Sequence, residues 1–229
     1  HKSLIRLFGT LEGTQKIVDQ DAPAPDFDAH VPVMDLPKLF GTSLDTIPAD
    51  CPYLAPPEGT EFTIPKQVFR IGIVWAGSRE HQKNRTRSFT LDHLAPLFEI
   101  PGLIVFSLQT GDAAKDIAAS ELGRLVRDVG SELTDFAHTA DVLQQLDLLI
   151  TADTAIAHLA GALALPVWTL LPFAPDWRWL LRRDDSPWYP TMRLFRQPAP
   201  LDWDGAIKNV ADALARAAAE KREAEEEGD

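Results

Sequence analysis

The sequence predicts an α/β protein with a doubly wound, parallel, Rossmann-like sheet. From residue 70 onward, short apolar runs typical of buried strands alternate with helical segments of about 8–15 residues. The run 147–166 (DLLITADTAIAHLAGALALP) contains a strand, a tight turn and a helix in direct succession. Small residues fill this helix, so it can pack closely against a sheet.

Composition and charge narrow the class of protein. The chain has 229 residues, of which 45% are hydrophobic and 24% charged, enough for one large or two small domains. Its net charge of −12 argues against general binding to nucleic acid or anionic membranes, which needs a positive surface. No apolar run reaches the ~18 residues of a membrane span. The single cysteine, Cys51, excludes an internal disulfide framework and favours a reducing, cytoplasmic location.

Residues 1–66 differ in composition from the rest of the chain. They hold half of the 18 prolines, and proline disfavours long helices and central strands because it fixes φ and lacks an amide donor. We predict an amphipathic helix over 3–11, a short helix over 37–40 and an extended linker over 47–60. Such a segment is expected to pack on the next domain or to be the tail of a larger one.

The elements after residue 66 follow in alternation. Strands are predicted at 70–75, 103–108, 148–151, 167–171 and 192–196, with a further short strand near 132–136. Helices are predicted at 91–98, 112–126, 139–146, 155–163 and 206–221. Residues 223–229 (EAEEEGD) are expected to form a disordered acidic tail.

Doubly wound sheets bind ligands at the carboxyl ends of their strands, which here selects four loops. In the loop after residue 151, Asp153 or Thr154 can cap the helix that follows, and the remaining free amides make an anion site. His158 lies one turn after Thr154 on the same helix face, which suits a sugar diphosphate. The alternative is a buried helix with an ordinary cap and a histidine that serves only the structure.

The loop after Trp75 reads AGSREHQKNRTRS and is basic, although the chain as a whole is acidic. Gly77 and Ser78 allow a close backbone approach. Four cations follow in the loop: Arg79, Lys83, Arg85 and Arg87. The guanidinium groups of the arginines can bind phosphate in bidentate fashion. The alternative is a solvated surface loop.

Two other regions carry weaker indications. Gln109, in the loop after the second strand, can bind a base or ribose, or can cap the next helix. Residues 171–197 interleave three of the six tryptophans with arginines, which could stack on a sugar or base or form a rigid clamp paired with aspartates. G-x-G-x-x-G is absent from the sequence, which disfavours a dinucleotide cofactor.

Several of these segments resemble a family of bacterial glycosyltransferase domains that often follow tetratricopeptide repeats. The matching segments are IGIVWAG (71–77), RS (87–88), SLQ (107–109), ADTAIAHLAGAL (152–163) and PDWRWLL…DSPWYPTMRLFRQ (175–197). The family is related to lipopolysaccharide heptosyltransferases and, more distantly, to O-GlcNAc-transferase-like enzymes. The resemblance covers roughly residues 26–205. It departs from the family at His138, where we expect an acid.

The resemblance implies one half of a GT-B fold. Residues 1–66 would be an incomplete acceptor-side segment and linker, residues 67–205 the domain that binds the nucleotide-sugar donor, and residues 206–229 a C-terminal helix and tail. The implied donor and phosphate contacts are Gly77, Ser78, Arg87, Ser88, Gln109, Asp153, Thr154, Ala155 and His158, with Arg87 and His158 as catalytic groups.

The implied activity is inverting transfer of a sugar from a nucleotide-diphosphate sugar, with no metal and no further cofactor. The acceptor would be a protein or a glycan, the catalytic base would lie outside this chain, and tetratricopeptide repeats would be upstream partners. Two alternatives stay open, namely a non-catalytic module that binds a nucleotide-sugar or a protein, and a nucleotide-sugar epimerase of the same fold.

Overall fold

The computed structural model describes residues 1–57, 69–78 and 84–226, and its centre is a six-stranded parallel sheet. The spatial order of the strands is β3-β2-β1-β4-β5-β6. The strands are β1 Phe69–Val74, β2 Leu103–Ser107, β3 Val126–Asp128, β4 Leu148–Ala152, β5 Val167–Leu171 and β6 Met192–Arg196. The predicted doubly wound α/β fold is therefore confirmed, and five of the predicted strands agree with the structure to within one residue.

Helices cover both faces of the sheet. The α-helices are α1 Ile5–Phe8, α2 Leu36–Leu39, α3 Asn84–Arg87, α4 Ala95–Phe98, α5 Lys115–Ala119, α6 Phe136–Leu143, α7 Ala155–Ala162 and α8 Trp203–Glu226. Ile71 and Ile73 of β1 point to a core shared with α4 and α8, whereas Val74 points to the core on the α6 and α7 side. All five residues of β4 are buried, as expected for a central strand with both faces covered.

The chain between β2 and β4 departs from the prediction. The helix expected over 112–126 is only the short α5 between two 3₁₀ turns, Gly111–Ala114 and Glu121–Leu125. Ser120 breaks it, because its backbone is extended and its side chain accepts a hydrogen bond from the Leu122 amide. The strand expected near 132–136 is wrong, since the strand in this region is β3, which pairs with β2.

Two helix boundaries also move. Helix α6 begins at Phe136 rather than at residue 139, because the Asp135 side chain caps it by accepting from the His138 amide. Helix α8 extends beyond the predicted 206–221 at both ends and includes the first four residues of the expected acidic tail; residues 227–229 lie outside the described part of the chain. No helix among the described residues is long and apolar enough to cross a membrane.

The proline-rich N-terminal segment packs on the α6 and α7 side of the domain. The helix expected over 3–11 is a 3₁₀ turn followed by the four-residue α1, whose Leu7 is fully buried in this core. The backbone amides of Tyr53 and Leu54 donate to the Ala162 carbonyl at the end of α7, at 3.1 and 3.4 Å. Helix α2 forms where predicted, and 47–57 are irregular, while the rest of the expected linker, 58–60, falls outside the described residues.

A partly buried ion cluster ties β1, β4 and α8 together at the amino end of the sheet. The guanidinium of Arg70 donates to both carboxylate oxygens of Asp147 at 2.9 Å, and the ammonium of Lys221 lies 2.9 Å from the same carboxylate. Burial alone raises the pKa of Asp147, but the hydrogen bonds from Arg70 and Lys221 outweigh it and lower the pKa to about 2.

We expect Asp147→Asn to lower the free energy of unfolding at pH 7 by about 2 kcal/mol, at ~1.4 kcal/mol per pKa unit. Because the folded-state pKa is depressed, this stabilisation is present above pH 3.8, the unfolded value, and is lost as the pH falls towards 2. Urea unfolding across this range measures it. Asp212→Asn, which removes an exposed pair with Lys208, is the control and should have little effect. Parallel acid profiles of wild type and Asp147→Asn would contradict the assignment.

Candidate functional site

A cleft opens at the carboxyl edge of the sheet where the strand order reverses. Strands β1 and β4 are neighbours there, while the chain continues from β1 to β2 and β3 on one side and from β4 to β5 and β6 on the other. Crevices at such switch points are the usual ligand sites of doubly wound sheets. The first cavity in this cleft has a volume of about 660 Å³, and Gly77, Gln109, Asp112, Phe136 and Thr154 are among its lining residues.

A second cavity of about 390 Å³ adjoins the first. Its own lining residues include Asp153, His158, Asp176 and Arg178. Both cavities are lined by Arg87, Thr154 and Ala155, so the start of α7 and the Arg87 guanidinium lie at their junction. Residues from two separate loops, each after the carboxyl end of a strand, therefore meet here, as the rule for doubly wound sheets predicts.

The N-terminus of α7 has no side-chain cap from the described residues. Thr154 occupies the N-cap position, but its hydroxyl lies 3.2 Å from the hydroxyl of Thr151. Thr151 donates its single hydrogen to the Ala152 carbonyl at 2.9 Å, so Thr154 donates to Thr151. The cap expected from Asp153 or Thr154 is therefore absent, and the first amides of α7 remain open to an anion from outside.

Helix α6 starts at the same mouth and provides a contrast. Its first amides face the Asp135 carboxylate, which accepts from His138 N at 2.8 Å and from the Arg6 guanidinium at 2.9 Å. Asp135 and Phe136 line the first cavity, so both helix starts border the cleft. Only α7, of these two helices, presents an uncapped positive end to a ligand.

Arg87 closes over the loop that follows β1. A Cβ atom built on Gly77 would lie 2.7 Å from Nη2 of Arg87, which shows how closely the guanidinium approaches this backbone. The buried Nε of Arg87 has no hydrogen-bond partner within the described part of the chain. Arg79, Lys83 and the side chain of Arg85 fall outside that part, so Arg87 is the loop cation whose position can be stated.

Ser88 supports this loop rather than lining the cleft. Its hydroxyl accepts from the Gly77 amide at 3.4 Å and lies 2.8 Å from the side-chain amide of Asn84. The nitrogen of that amide is best placed towards the Gly77 carbonyl, at 3.2 Å. Gly77 and Ser78 line the first cavity, but neither cavity includes Ser88.

Gln109 is buried and uses all its hydrogen-bonding capacity on the main chain. Its Oε1 accepts from the amides of Trp75 and Ala76 at 3.0 and 2.9 Å, and its Nε2 donates to the carbonyls of Ala76 and Thr110 at 3.0 and 2.9 Å. Both amide hydrogens and both lone pairs are occupied. Gln109 therefore holds the ends of β1 and β2 together and fixes the loop that carries Gly77.

His158 lies on α7, one turn after Thr154, and borders the second cavity. Its ring stacks on Trp179 with 5.0 Å between centroids, and its Nδ1 lies 3.1 Å from the Tyr189 hydroxyl. Burial lowers the pKa of His158 below its ordinary value, and Arg178 acts in the same direction while Asp153 and Asp176 oppose it. The imidazole is consequently neutral at pH 7.

The tryptophan- and arginine-rich region forms the far wall of the second cavity. Arginines pair with aspartates here, as the clamp interpretation predicted for Asp176 and Asp185: Arg183 pairs with Asp185, and Trp179 is fully buried. Asp176 caps the 3₁₀ turn Trp177–Trp179 and accepts from the Arg178 guanidinium at 2.7 Å. Asp176 and Arg178 are nevertheless part of the cavity lining.

The sequence interpretation missed Asp135, which lines the cleft, and two residues that hold cleft residues in place, Arg6 and Tyr189. Asp135 could have been recognised, because an aspartate directly before an apolar helical pattern is a helix-start signal. Arg6 and Tyr189 could not, since they reach Asp135 and His158 across 129 and 31 positions of the chain. No local pattern marks such contacts.

This chain is similar in sequence to part of one curated protein and in structure to part of two heptosyltransferases. No family model matches it. Protein FlbA of Caulobacter vibrioides is 32% identical over 150 residues, which are 63% of this chain and 25% of FlbA.

Among solved structures, E. coli ADP-heptose lipopolysaccharide heptosyltransferase II has a TM-score of 0.48 and 16% sequence identity. The match covers 70% of this chain and 49% of the heptosyltransferase chain. E. coli heptosyltransferase WaaC with ADP has a TM-score of 0.45 and 14% identity over 65% and 46%. The matches therefore span about a quarter of FlbA and about half of each heptosyltransferase.

Proposed function

We propose that this chain is the donor-binding half of a glycosyltransferase and that it binds a nucleotide-diphosphate sugar. The observation that carries the proposal is the uncapped start of α7 at the junction of two cavities, with the Arg87 guanidinium at the same junction. Helix amides and a guanidinium are suited to a diphosphate that lies between two larger groups. The resemblance of the sequence motifs to glycosyltransferase domains supports the same conclusion.

The chemical groups that line the two cavities match the two ends of such a donor, the nucleoside and the sugar. In the first and larger cavity, Leu133 and Phe136 offer apolar surface to a base, and the Asp112 carboxylate can accept from ribose hydroxyls. In the second, the carboxylates of Asp153 and Asp176 can accept from sugar hydroxyls. We therefore place the nucleoside in the first cavity, the diphosphate at the junction and the sugar in the second cavity.

In the proposed reaction, the bond between the anomeric carbon and the diphosphate breaks, and negative charge grows on the leaving diphosphate. The amides at the start of α7 and Arg87 are fixed before this happens, so they stabilise the charge without reorganising. The acceptor hydroxyl attacks the opposite face of the sugar, which inverts the anomeric centre. A base from the acceptor-side domain, as the resemblance implies, takes its proton.

A second candidate is a module that binds the nucleotide-sugar without turning it over. The observation that favours it is the engagement of the polar groups around the proposed sugar: Asp176 pairs with Arg178, and His158 is held by Tyr189 and Trp179. Assays for product, performed with the donor alone and with acceptors, distinguish transfer, binding alone and epimerisation.

Isothermal titration calorimetry of the chain against UDP-, GDP-, ADP- and CDP-sugars tests the proposal. We expect saturable binding of at least one of them, and competition by the corresponding free nucleoside diphosphate. If none of the four classes binds to the folded chain, the proposed function is wrong.

Gly77→Ala is a probe of the Arg87 position. The added methyl group would lie 2.7 Å from Nη2 of Arg87, and the flexible end of that side chain must move away, whereas the fold has no reason to change. We expect nucleoside-diphosphate affinity to fall about tenfold, since a charge-assisted hydrogen bond contributes ~1.5–3 kcal/mol. The melting temperature should be unchanged.

A double-mutant cycle provides the control for this probe. In an Arg87→Ala background, Gly77→Ala should have no further effect on affinity, because the displaced group is already missing. Additive losses from the two substitutions would show that Gly77 acts by another route.

A further inference from the structure

His158 is held in place from two sides by residues outside its own helix. Trp179 is completely buried and stacks on the imidazole with an interplanar angle of 15°, which blocks rotation of the ring. The Tyr189 hydroxyl approaches Nδ1 at 3.1 Å. The Tyr189 ring packs directly against α7 at Gly161. A Cβ atom built on Gly161 would lie only 2.4 Å from this ring, so a side chain at that position would displace it. Gly161 and His158 are three residues apart on this helix, so α7 carries both the imidazole and the seat of its partner.

The direction of the Tyr189–His158 hydrogen bond decides which ring nitrogen carries the hydrogen. Burial raises the pKa of the Tyr189 phenol, and the neighbouring Tyr53 raises it further, so the hydroxyl keeps its proton. A phenol hydroxyl has one hydrogen to donate and lone pairs that accept, so Tyr189 can accept from its other partner, Tyr53, while it donates to His158. A neutral imidazole has one accepting and one donating nitrogen. When Nδ1 accepts, the hydrogen is on Nε2.

His158 lies beside two cavities. His158 borders the second cavity of the cleft and also an apolar cavity of about 420 Å³ on the other side of α7. Tyr189 lines the apolar cavity, but it is not among the described residues that line the second cavity of the cleft. Nδ1 is the ring nitrogen next to the Tyr189 hydroxyl, and Nε2 lies on the side of the ring away from that hydroxyl.

We propose that Tyr189 is a positioning residue: its hydroxyl donates to Nδ1 of His158, so that Nε2–H donates to a phosphate oxygen of the bound nucleotide diphosphate. This inference rests on the proposed function. It assigns to Tyr189 the task of fixing one tautomer and one ring orientation, and it assigns to His158 the task of a neutral hydrogen-bond donor.

The charged groups around the ring are consistent with a neutral donor. Asp153, Asp176 and Arg178 face the imidazole, and their effects on its pKa partly cancel, which leaves burial as the largest influence. On the far side of Tyr189 lie Tyr53 and Cys51, both neutral at pH 7 because burial raises the pKa of each. Nucleotide affinity should therefore show no titration of His158 between pH 7 and 8.

Nitrogen-15 NMR of the histidine-labelled chain tests the tautomer directly. The chain has six histidines, and the His158 signals are assigned by their loss in His158→Gln. In the free wild-type chain we expect an unprotonated Nδ1 and a protonated Nε2. On addition of whichever of UDP, GDP, ADP or CDP binds in calorimetry, the Nε2–H signal should shift and its exchange with water should slow.

Tyr189→Phe removes the hydroxyl and keeps the ring that packs on Gly161, so the fold should survive, as a thermal melt will show. We expect the His158 signals to report a mixture of tautomers and nucleotide affinity to fall about threefold to tenfold. Tyr53→Phe is the matched comparison, because it removes the other side-chain hydrogen-bond partner of the Tyr189 hydroxyl and no bond to the imidazole. If Tyr189 donates to His158, this variant should leave both the tautomer and the affinity unchanged.

Each result other than the expected one overturns a specific part of the proposal. A protonated Nδ1 in the wild-type chain, or an unchanged tautomer in Tyr189→Phe, overturns the positioning role. A bound nucleotide that leaves the Nε2–H signal unmoved overturns the donation to phosphate. Failure of every nucleotide to bind overturns the proposed function, while the spectra of the free chain still decide the Tyr189–His158 bond.

Discussion

Arg87→Ala is expected to weaken the binding of a nucleoside diphosphate by roughly 30- to 150-fold, because loss of a charge-assisted hydrogen bond to phosphate costs about 2–3 kcal/mol. Arg87 borders both cavities of the cleft, and its Nε has no hydrogen-bond partner among the described residues. Its removal should therefore affect the ligand more than the fold. Calorimetry with the nucleotide that binds the wild-type chain measures the loss.

Two further variants make this test specific. Arg87→Lys keeps the charge but loses the planar fork, so its affinity should lie between those of wild type and Arg87→Ala. Arg124→Ala removes an exposed arginine that pairs with Glu121 away from the cleft, and it should bind like wild type. If Arg87→Ala binds as tightly as Arg124→Ala, the diphosphate does not lie at the junction of the two cavities.

Much of the fold could be predicted from the sequence because its central strands are continuous apolar runs. The exception is β3, which is three residues long at the edge of the sheet, with two exposed residues, Arg127 and Asp128. Nothing in its composition distinguishes it from a loop, and its place is set by pairing with β2. The helix expected over 112–126 failed for a local reason, since the backbone of Ser120 is extended and its side chain caps the next 3₁₀ turn.

The location of the cleft was also predictable, but the state of its polar groups was not. The rule for parallel sheets selected the loops that hold Gly77 and Thr154, and these do meet at the cleft. Whether a helix start is capped depends on the rotamer of one side chain, which the Thr151 hydroxyl decides at Thr154. The alternatives left open for Gln109 did not include its observed role, because its partners at Trp75 and Ala76 are 34 and 33 positions away.

Gln109→Glu is expected to destabilise the chain by about 2–4 kcal/mol at pH 7, although it changes only one terminal group. One oxygen of the introduced carboxyl can still accept from Trp75 and Ala76. The other replaces Nε2 and faces the carbonyls of Ala76 and Thr110, so a donor position becomes a buried acceptor among acceptors. Urea unfolding measures the effect.

The pH dependence of this variant separates the mechanism from a simple packing defect. A protonated carboxyl can donate to one of the two carbonyls, so burial should raise its folded-state pKa above the ordinary ~4.3 of a glutamate. The variant should then recover stability as the pH falls towards 5 and lose it as the pH rises, relative to wild type. Gln144→Glu, at an exposed position after α6, should follow the wild-type profile. Equal stability of Gln109→Glu and wild type at pH 7 would contradict the assigned hydrogen bonds.

The same variant links the stability of the sheet edge to the ligand. Gln109 fixes the backbone at Ala76, the neighbour of Gly77, and Gly77 is the surface on which the Arg87 guanidinium rests. Without denaturant, and at a pH where Gln109→Glu is still folded, the nucleotide affinity of the variant should therefore be lower than that of wild type. Gln109 itself has no free hydrogen-bonding group to offer a nucleotide. A folded variant with wild-type affinity would show that the loop keeps its position without the glutamine, and that Arg87 depends on other contacts for its place at the cleft.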